Sequence, residues 1–281
     1  MINDIADLNA VFKRIPLLSP FQVNDFKVSQ LAGFTNYNFH LKNAAHDWVL
    51  RIPKKQTNQF INRTFEASNV DAVTPLGFAP EIVWRDDSGL SLTTNCSQAR
   101  PFTLDDMRNE STLTSLVKCI ACLHKSNFKF YGEWDLTRLI TQHFSQLPEG
   151  SVSLFKPYRQ IALEKLSMFE KIELHKVPSH NDLVLENLLL QNDQRIWIID
   201  WEYSALTSPY WDLATLCNTA RFDATQNQHL LDLYRVEAFD LDARILRDYQ
   251  YVLQFLSACW MATFSDQQPG AGLAWLDQIA M

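Results

Sequence analysis

His180, Asn181, Asp182, Glu186 and Asn187 fall within one short polar stretch, "SHNDLVLENLLL" (179–190), which runs straight into apolar residues. The next apolar run, "IWIIDWEY" (196–203), carries Asp200 near its end. A hydrophobic hairpin has no use for such groups. Asn187 follows Asp182 by five residues and Asp200 follows Asn187 by 13, and a turn at "QNDQR" (191–195) is expected to bring Asn187 and Asp200 together. Phosphoryl transfer requires a carboxylate to orient and deprotonate an attacking hydroxyl, together with hard oxygen ligands for Mg2+. An Asp, an Asn amide oxygen and a strand-end Asp supply that set.

The order matches the kinase pattern H-R-D-x-x-x-x-N followed by an Asp on a later strand. Here the loop reads H-N-D-L-V-L-E-N, and the later Asp precedes Trp-Glu instead of Phe-Gly. From His180 to Asp212 there are six acids (Asp182, Glu186, Asp193, Asp200, Glu202 and Asp212) against the single cation Arg195. A capped hairpin with solvated acids is the plainer alternative. It does not account for acids interleaved with "LVLENLLL" and "IWIIDW".

Several elements must position these groups. With 281 residues, 47% of them hydrophobic, the chain exceeds the length at which one core usually divides, so two lobes joined by a hinge are expected. Eight Trp and 18 Phe against seven Gly exclude a disordered chain. Alternation over residues 25–53 predicts three antiparallel strands ending on Arg51, and "TNQFINRTFEASNVDAVTPL" (57–76) predicts a helix marked by Phe60, Phe65, Val70 and Val73. Two further strands flank an Asp-Ser-Gly turn at 87–89. Residues 1–95 therefore form a small antiparallel-sheet lobe with one inserted helix, and the hinge lies near Thr93–Gln98. Residues 96–281 form a larger, mostly helical lobe, opened by a Thr103 cap and interrupted only by a hairpin at 187–200. The fold class is α+β.

Composition narrows the setting. Cysteines at 96, 119, 122, 217 and 259 lack framework spacing, and Cys119 and Cys122 fall on a helical pattern expected to be buried. The N-terminus lacks the form of a secretory signal, and no apolar run reaches the roughly 18 residues of a membrane span. A cytoplasmic protein is expected. A net charge of −7 without a basic stripe or a basic amphipathic helix excludes nucleic-acid and membrane partners and leaves the oligomeric state open.

"GFTNYNF" (33–39), "WVLRIP" (48–53), "INRTFE" (61–66), "HNDLVLEN" (180–187), "IDWEY" (199–203) and "SPYWDLATLCN" (208–218) together resemble the aminoglycoside phosphotransferase/choline kinase superfamily, and bacterial choline kinases most closely. The resemblance implies a two-lobed protein-kinase-like fold, with ATP and Mg2+ as cofactors. It implies Asp182 as catalytic base and Asn187 and Asp200 as metal ligands. Glu202 resembles a further acid of the metal or substrate site, while Asp212 and His180 resemble loop-bracing residues. A strand cation can bridge phosphates when an acid on the next helix holds it; Arg51 and Glu66 fit those roles, and the resemblance points to the same pair. A surface salt bridge is the plainer alternative for Arg51. Arg63 is left between a structural and a phosphate-facing role. The family usually has two glycines where this chain reads Ala32–Gly33, and a glycine where it reads "PKKQTN" (53–58), so Thr35 and Asn36 are expected to supply hydrogen bonds to ATP.

The acceptor expected from this resemblance is a cationic small-molecule alcohol, choline or ethanolamine, held by aromatic faces and carboxylates. Candidate aromatics are Trp201, Tyr203, Trp211, Tyr249 and Trp260, with Tyr249 favoured as core and Trp260 open between pocket and core. Thiamine or an aminoglycoside is the alternative acceptor. A catalytically silent ligand-binding member of the fold is the non-enzyme alternative. A protein kinase is disfavoured because no long activation segment or A-P-E follows Asp200.

Overall fold

The computed structural model describes residues 5–55, 61–169, 174–192 and 194–264, with Leu273 and Leu276. Expectations placed on Gln56–Phe60, on Asp193 and on most of the C-terminal segment lie outside the described residues. In chain order the elements are α1 (Ile5–Phe12), β1 (Lys27–Leu31), β2 (Asn36–Lys42), β3 (Asp47–Pro53), α2 (Arg63–Val73), β4 (Ile82–Arg85), β5 (Ser91–Thr94), β6 (Ala99–Pro101), α3 (Leu104–Arg108), α4 (Glu110–His124), α5 (Leu136–Ser145) and α6 (Val152–Phe169). They continue with β7 (Val177–Ser179), β8 (Leu188–Gln191), β9 (Ile196–Ile198), β10 (Ala205–Thr207), α7 (Pro209–Ala220), α8 (Ala224–Glu237) and α9 (Ala243–Phe264). The chain forms two compact units, Met1–Arg100 with Leu189–Glu202, and Pro101–Leu188 with Tyr203–Met281.

The first unit is built on an antiparallel sheet of order β1-β2-β3-β5-β4. Phe39 pairs with Leu50 and Leu50 with Leu92, so these three share a face and bury against Phe12, Ile15 and Leu18 from the N-terminal segment. Strand alternation then puts Asn38, Arg51 and Ser91, the next pairs along, on the opposite face. The helix on that side, α2, starts at the Asn62 cap, whose side chain accepts from Phe65 N at 3.1 Å. It buries Glu66, Asn69, Val70 and Val73, while Phe65, expected as an apolar marker, is exposed. Glu66 joins the two valines on the inward face because it has cationic partners there. Ile198 N on β9 donates to Phe78 O at 2.7 Å and tethers that part of the hairpin within the unit.

The second unit is mostly helical. Thr103 caps α3 in a reciprocal capping box with Asp106, and Asn109 starts α4 separately, so the helical stretch that Thr103 opens is two helices. Cys119 is half-buried and Cys122 exposed, which corrects the buried-face expectation: α4 turns Leu113, Leu116, Val117 and Ile120 inward. All five cysteines are free thiols. β7 and β10 form a short antiparallel ladder, Ser179 opposite Ala205, that the expectation of a single hairpin at 187–200 omitted. Three-residue strands carry too little alternation to register in a sequence. That ladder delivers the chain to His180. Among the described residues no helix is long and apolar enough to cross a membrane.

Candidate active site

The second unit holds the loop that follows β7. Asp182 is half-buried, and Asn187 Nδ2 donates to its backbone O at 2.9 Å and to its Oδ2 at 2.8 Å. Both partners are acceptors, which fixes the amide orientation and leaves Asn187 Oδ1 as the remaining acceptor. Asn181, just before Asp182, has φ +68°, a left-handed conformation that Asn tolerates better than most residues. Its polar groups are all engaged. N donates to Asp212 Oδ1 at 2.7 Å, O accepts from Trp211 Nε1 at 3.1 Å, Nδ2 donates to Tyr203 O at 3.0 Å, and Oδ1 accepts from Thr207 Oγ1 at 2.6 Å.

Asp212 lies fully buried at the start of α7. Its carboxylate also accepts from His180 N at 2.9 Å and meets His124 Nε2 at 3.1 Å. Burial alone would raise its pKa. The His124 hydrogen bond, with the nearby imidazoles and the backbone donor, outweighs burial and holds the group below its ordinary 3.8. His180 is fully buried and accepts from Asp182 N through Nδ1 at 3.2 Å. That contact aligns the peptide entering the candidate base.

The first unit holds a cation–carboxylate cluster. Arg51 Nη1 meets Glu66 Oε1 at 2.6 Å and Asp200 Oδ1 at 3.6 Å, with the Arg51 side chain 18% exposed and that of Glu66 6%. Arg51 is therefore no surface bridge. Desolvation would lower its pKa, but Glu66, Asp200 and Glu202 outweigh it and raise the value. Glu66 is the mirror case: burial would raise it, and Arg51 and Arg63 hold it below 4.5. Arg63 Nη1 bridges Glu66 Oε2 at 2.7 Å and Glu202 Oε2 at 3.3 Å, an arrangement in which it braces the cluster. Glu202 also accepts from Asn36 Nδ2 at 3.1 Å, and that nitrogen lies 3.0 Å from Thr35 Oγ1. Asp200 has φ +63°, so a strained backbone precedes Trp201.

The loop between β1 and β2 is short of glycine, and Lys54 ties it down. Its Nζ donates to Phe34 O at 2.6 Å and Gly33 O at 3.2 Å, while Lys54 N donates to Thr35 O at 3.2 Å. The ammonium also lies over the Tyr37 ring at 4.9 Å. At Gly33 an added Cβ would fall 2.6 Å from Asn38 Nδ2 and 2.7 Å from Asn36 O, so the backbone approach permits no side chain.

The aromatic candidates divide. Trp201 is 3% exposed, donates to Ile198 O at 3.0 Å and stacks on Phe78, and Trp211 is 2% exposed. Neither presents a free ring face, so both serve packing where a substrate contact was expected. Their indole N–H groups required partners in the core and found backbone carbonyls. Tyr249 is core, stacked on Phe169 at 4.4 Å and Tyr210 at 5.4 Å. Trp260 is half-buried near the end of α9, beside Phe264 at 5.7 Å. Tyr203 is half-buried and meets Trp134, also half-buried, edge to face at 6.3 Å.

Mg2+ keeps several waters and substrate phosphates and takes few protein oxygens. Asn187 Oδ1 in the second unit and the Asp200 carboxylate in the first are each an oxygen donor of that kind. Among the described residues no cluster of three or more His, Cys, Asp or Glu side chains has metal-holding geometry. Sequence reasoning placed Asn181 in the polar stretch without a role, and it had no notice of His124, Tyr234, Lys54 or Trp134. The one available signal was Asn between His180 and Asp182, a residue type suited to left-handed backbone.

Residues 27–246 match the model of the phosphotransferase enzyme family. Protein LicA of Haemophilus influenzae is 34% identical over 213 residues, a match covering 73% of this chain and 62% of that protein, under two thirds of its length. Among solved structures, choline kinase LicA from Streptococcus pneumoniae has a TM-score of 0.84 at 20% identity, covering 98% of each chain. A choline/ethanolamine kinase family protein from Mesorhizobium loti has a TM-score of 0.77 at 24% identity, covering 98% of this chain and 91% of that one. The family match spans the Arg51–Glu66 pair, the Asp182 loop and Asp212 alike, and the chain belongs to the phosphotransferase enzyme family.

Proposed function

We propose that the chain transfers the γ-phosphate of ATP to the hydroxyl of choline or ethanolamine. The observation that carries this is the Asp182–Asn187 pair: a carboxylate held by an amide whose oxygen is left for a cation. The names of the LicA and choline/ethanolamine kinase relatives support the acceptor class. Asp182 orients the acceptor hydroxyl and takes its proton as the oxygen attacks phosphorus and the bond to the ADP oxygen breaks. Asn187 and Asp200 hold Mg2+, which neutralises charge on the phosphates when bound. Arg51, fixed by Glu66, positions the phosphates, and Thr35 supplies a hydrogen bond from the loop, while the buried Asn36 amide, donating to Glu202 and Thr35, holds that loop in place. The cation of the acceptor is drawn to the half-exposed faces of Trp134 and Tyr203 and to the ring of Trp260.

The test is ADP release with Mg-ATP and choline, ethanolamine, thiamine, an aminoglycoside or no acceptor, with Asp182→Asn alongside. Choline- or ethanolamine-dependent turnover that the variant loses is the expected result. Turnover on thiamine alone overturns the acceptor assignment. Mg-ATP binding with no turnover on any alcohol favours the silent binding module.

A further inference from the structure

Lys54 places a cation beside the loop whose Thr35 is proposed to meet ATP, yet its ammonium is engaged within the first unit. Nζ donates to Phe34 O at 2.6 Å and to Gly33 O at 3.2 Å, and it lies over the rings of Tyr37 and Phe34 at 4.9 Å and 5.8 Å. The Lys54 backbone N donates to Thr35 O at 3.2 Å, one step beyond the Asn36–Pro53 pair of β2 and β3. One residue thus engages three successive carbonyls.

The side of the sheet on which this happens gives the contacts their consequence. Tyr37 pairs with Ile52 and packs with it against the buried core of the unit, whereas Arg51 lies on the opposite face. The ammonium, resting on Tyr37, therefore draws the Gly33 and Phe34 carbonyls towards the core side. In a trans peptide the N–H points away from the C=O, and there is no cis bond among the described residues. The N–H groups of Phe34 and Thr35 accordingly face the Arg51 side. Successive N–H groups aimed one way make the concave donor arrangement that receives phosphate oxygens.

None of residues 32–36 has a positive φ, so these conformations are open to ordinary residues. Gly33 is required for room and not for torsion, since a Cβ there would meet Asn38 Nδ2 and Asn36 O. Such a backbone has other arrangements within reach, and the clamp selects this one.

We infer that Lys54 is a positioning residue: it clamps the Gly33 and Phe34 carbonyls so that the Phe34 and Thr35 amides are presented to the nucleotide phosphates, and it does not bind the phosphates itself. This rests on ATP as the phosphoryl donor.

The test compares the wild-type chain with Lys54→Met in three measurements. Amide hydrogen exchange in the free protein, read at residues 33–36 against core amides such as Leu50, should be about five- to tenfold faster in the variant at the loop alone. Affinity for Mg-ATP should fall roughly three- to tenfold, while affinity for adenosine, which lacks phosphates, stays fixed. The salt dependence of ATP binding should keep its slope, because a clamp makes no charge contact with the ligand. A shallower slope in Lys54→Met would make the ammonium a direct phosphate ligand and overturn the inference. Unchanged exchange in the loop, or an equal loss on adenosine, overturns it as well. The exchange measurement needs no nucleotide, so it separates failure of the clamp from failure of the proposed reaction.

Discussion

Arg51 and Glu66 meet at 2.6 Å with their side chains 18% and 6% exposed, one from β3 and one from α2. Arg63 closes the same carboxylate from its other side at 2.7 Å. A buried pair of this kind is weak evidence of net stabilisation, but removing one partner leaves charge buried and uncompensated. Glu66→Gln is therefore expected to cost about 3 kcal/mol in urea unfolding and to raise KM for ATP more than KM for the acceptor. A stability within experimental error of the wild type would refute the buried pairing.

The same carboxylate sets a pH signature. Its folded pKa lies below the ordinary 4.5, so its contribution is present above that value and is lost as pH falls through the folded pKa. The stability gap between wild type and Glu66→Gln should be flat from neutral pH to about 5 and shrink at more acid pH. Urea denaturation across that range checks the sign; a gap that widens on acidification contradicts it.

Asn181 combines left-handed backbone with two side-chain hydrogen bonds, and substitutions separate the two contributions. Asn181→Gly accepts φ +68° without strain but loses both bonds, whereas Asn181→Ala loses both and adds strain of about 1 kcal/mol. Both variants are expected to lose roughly tenfold in kcat, with Asn181→Ala the less stable. Equal unfolding free energies for the two would argue against a left-handed residue there.

Much of this was written locally in the chain. The alternation around Leu50 puts Arg51 on the face away from the core, and Thr103 with Asp106 spells a helix start. The H-N-D-x-x-x-x-N spacing reads directly as a loop with a base and an amide oxygen. What escaped was set by tertiary partners. Phe65 looked like the inward residue of α2, yet Glu66 is inward because Arg51 and Arg63 wait for it. Trp201 and Trp211 looked like ligand aromatics, yet buried carbonyls claim their N–H groups. His124 and Tyr234 are 110 positions apart, and no local pattern announces that pairing.

The glycine-poor loop yields a nucleotide-specific prediction. Gly33→Ala would force a Cβ within 2.7 Å of the Asn36 carbonyl, and Lys54→Met would remove the tether on Gly33 and Phe34. Each is expected to raise KM for ATP about three- to tenfold, as an overpacked or released loop would, and to leave acceptor KM unchanged. Initial-rate kinetics varying each substrate in turn distinguish this from a general loss of fold. A kcat-only effect would show that the loop does not touch nucleotide binding.

Trp134 and Tyr203 present two half-exposed rings at 88°, and the Tyr203 carbonyl accepts from Asn181 beside the candidate base. A quaternary ammonium resting against such a pair gains about 0.5–2 kcal/mol from the ring faces. Trp134→Leu should thus raise KM for choline roughly threefold to thirtyfold while KM for ATP stays fixed. The control is a neutral isostere of choline with carbon in place of nitrogen. If Trp134 acts through its ring quadrupole, the variant penalises choline and leaves the isostere nearly unaffected. Equal losses on both would make Trp134 a packing wall, and the cation would then be held elsewhere.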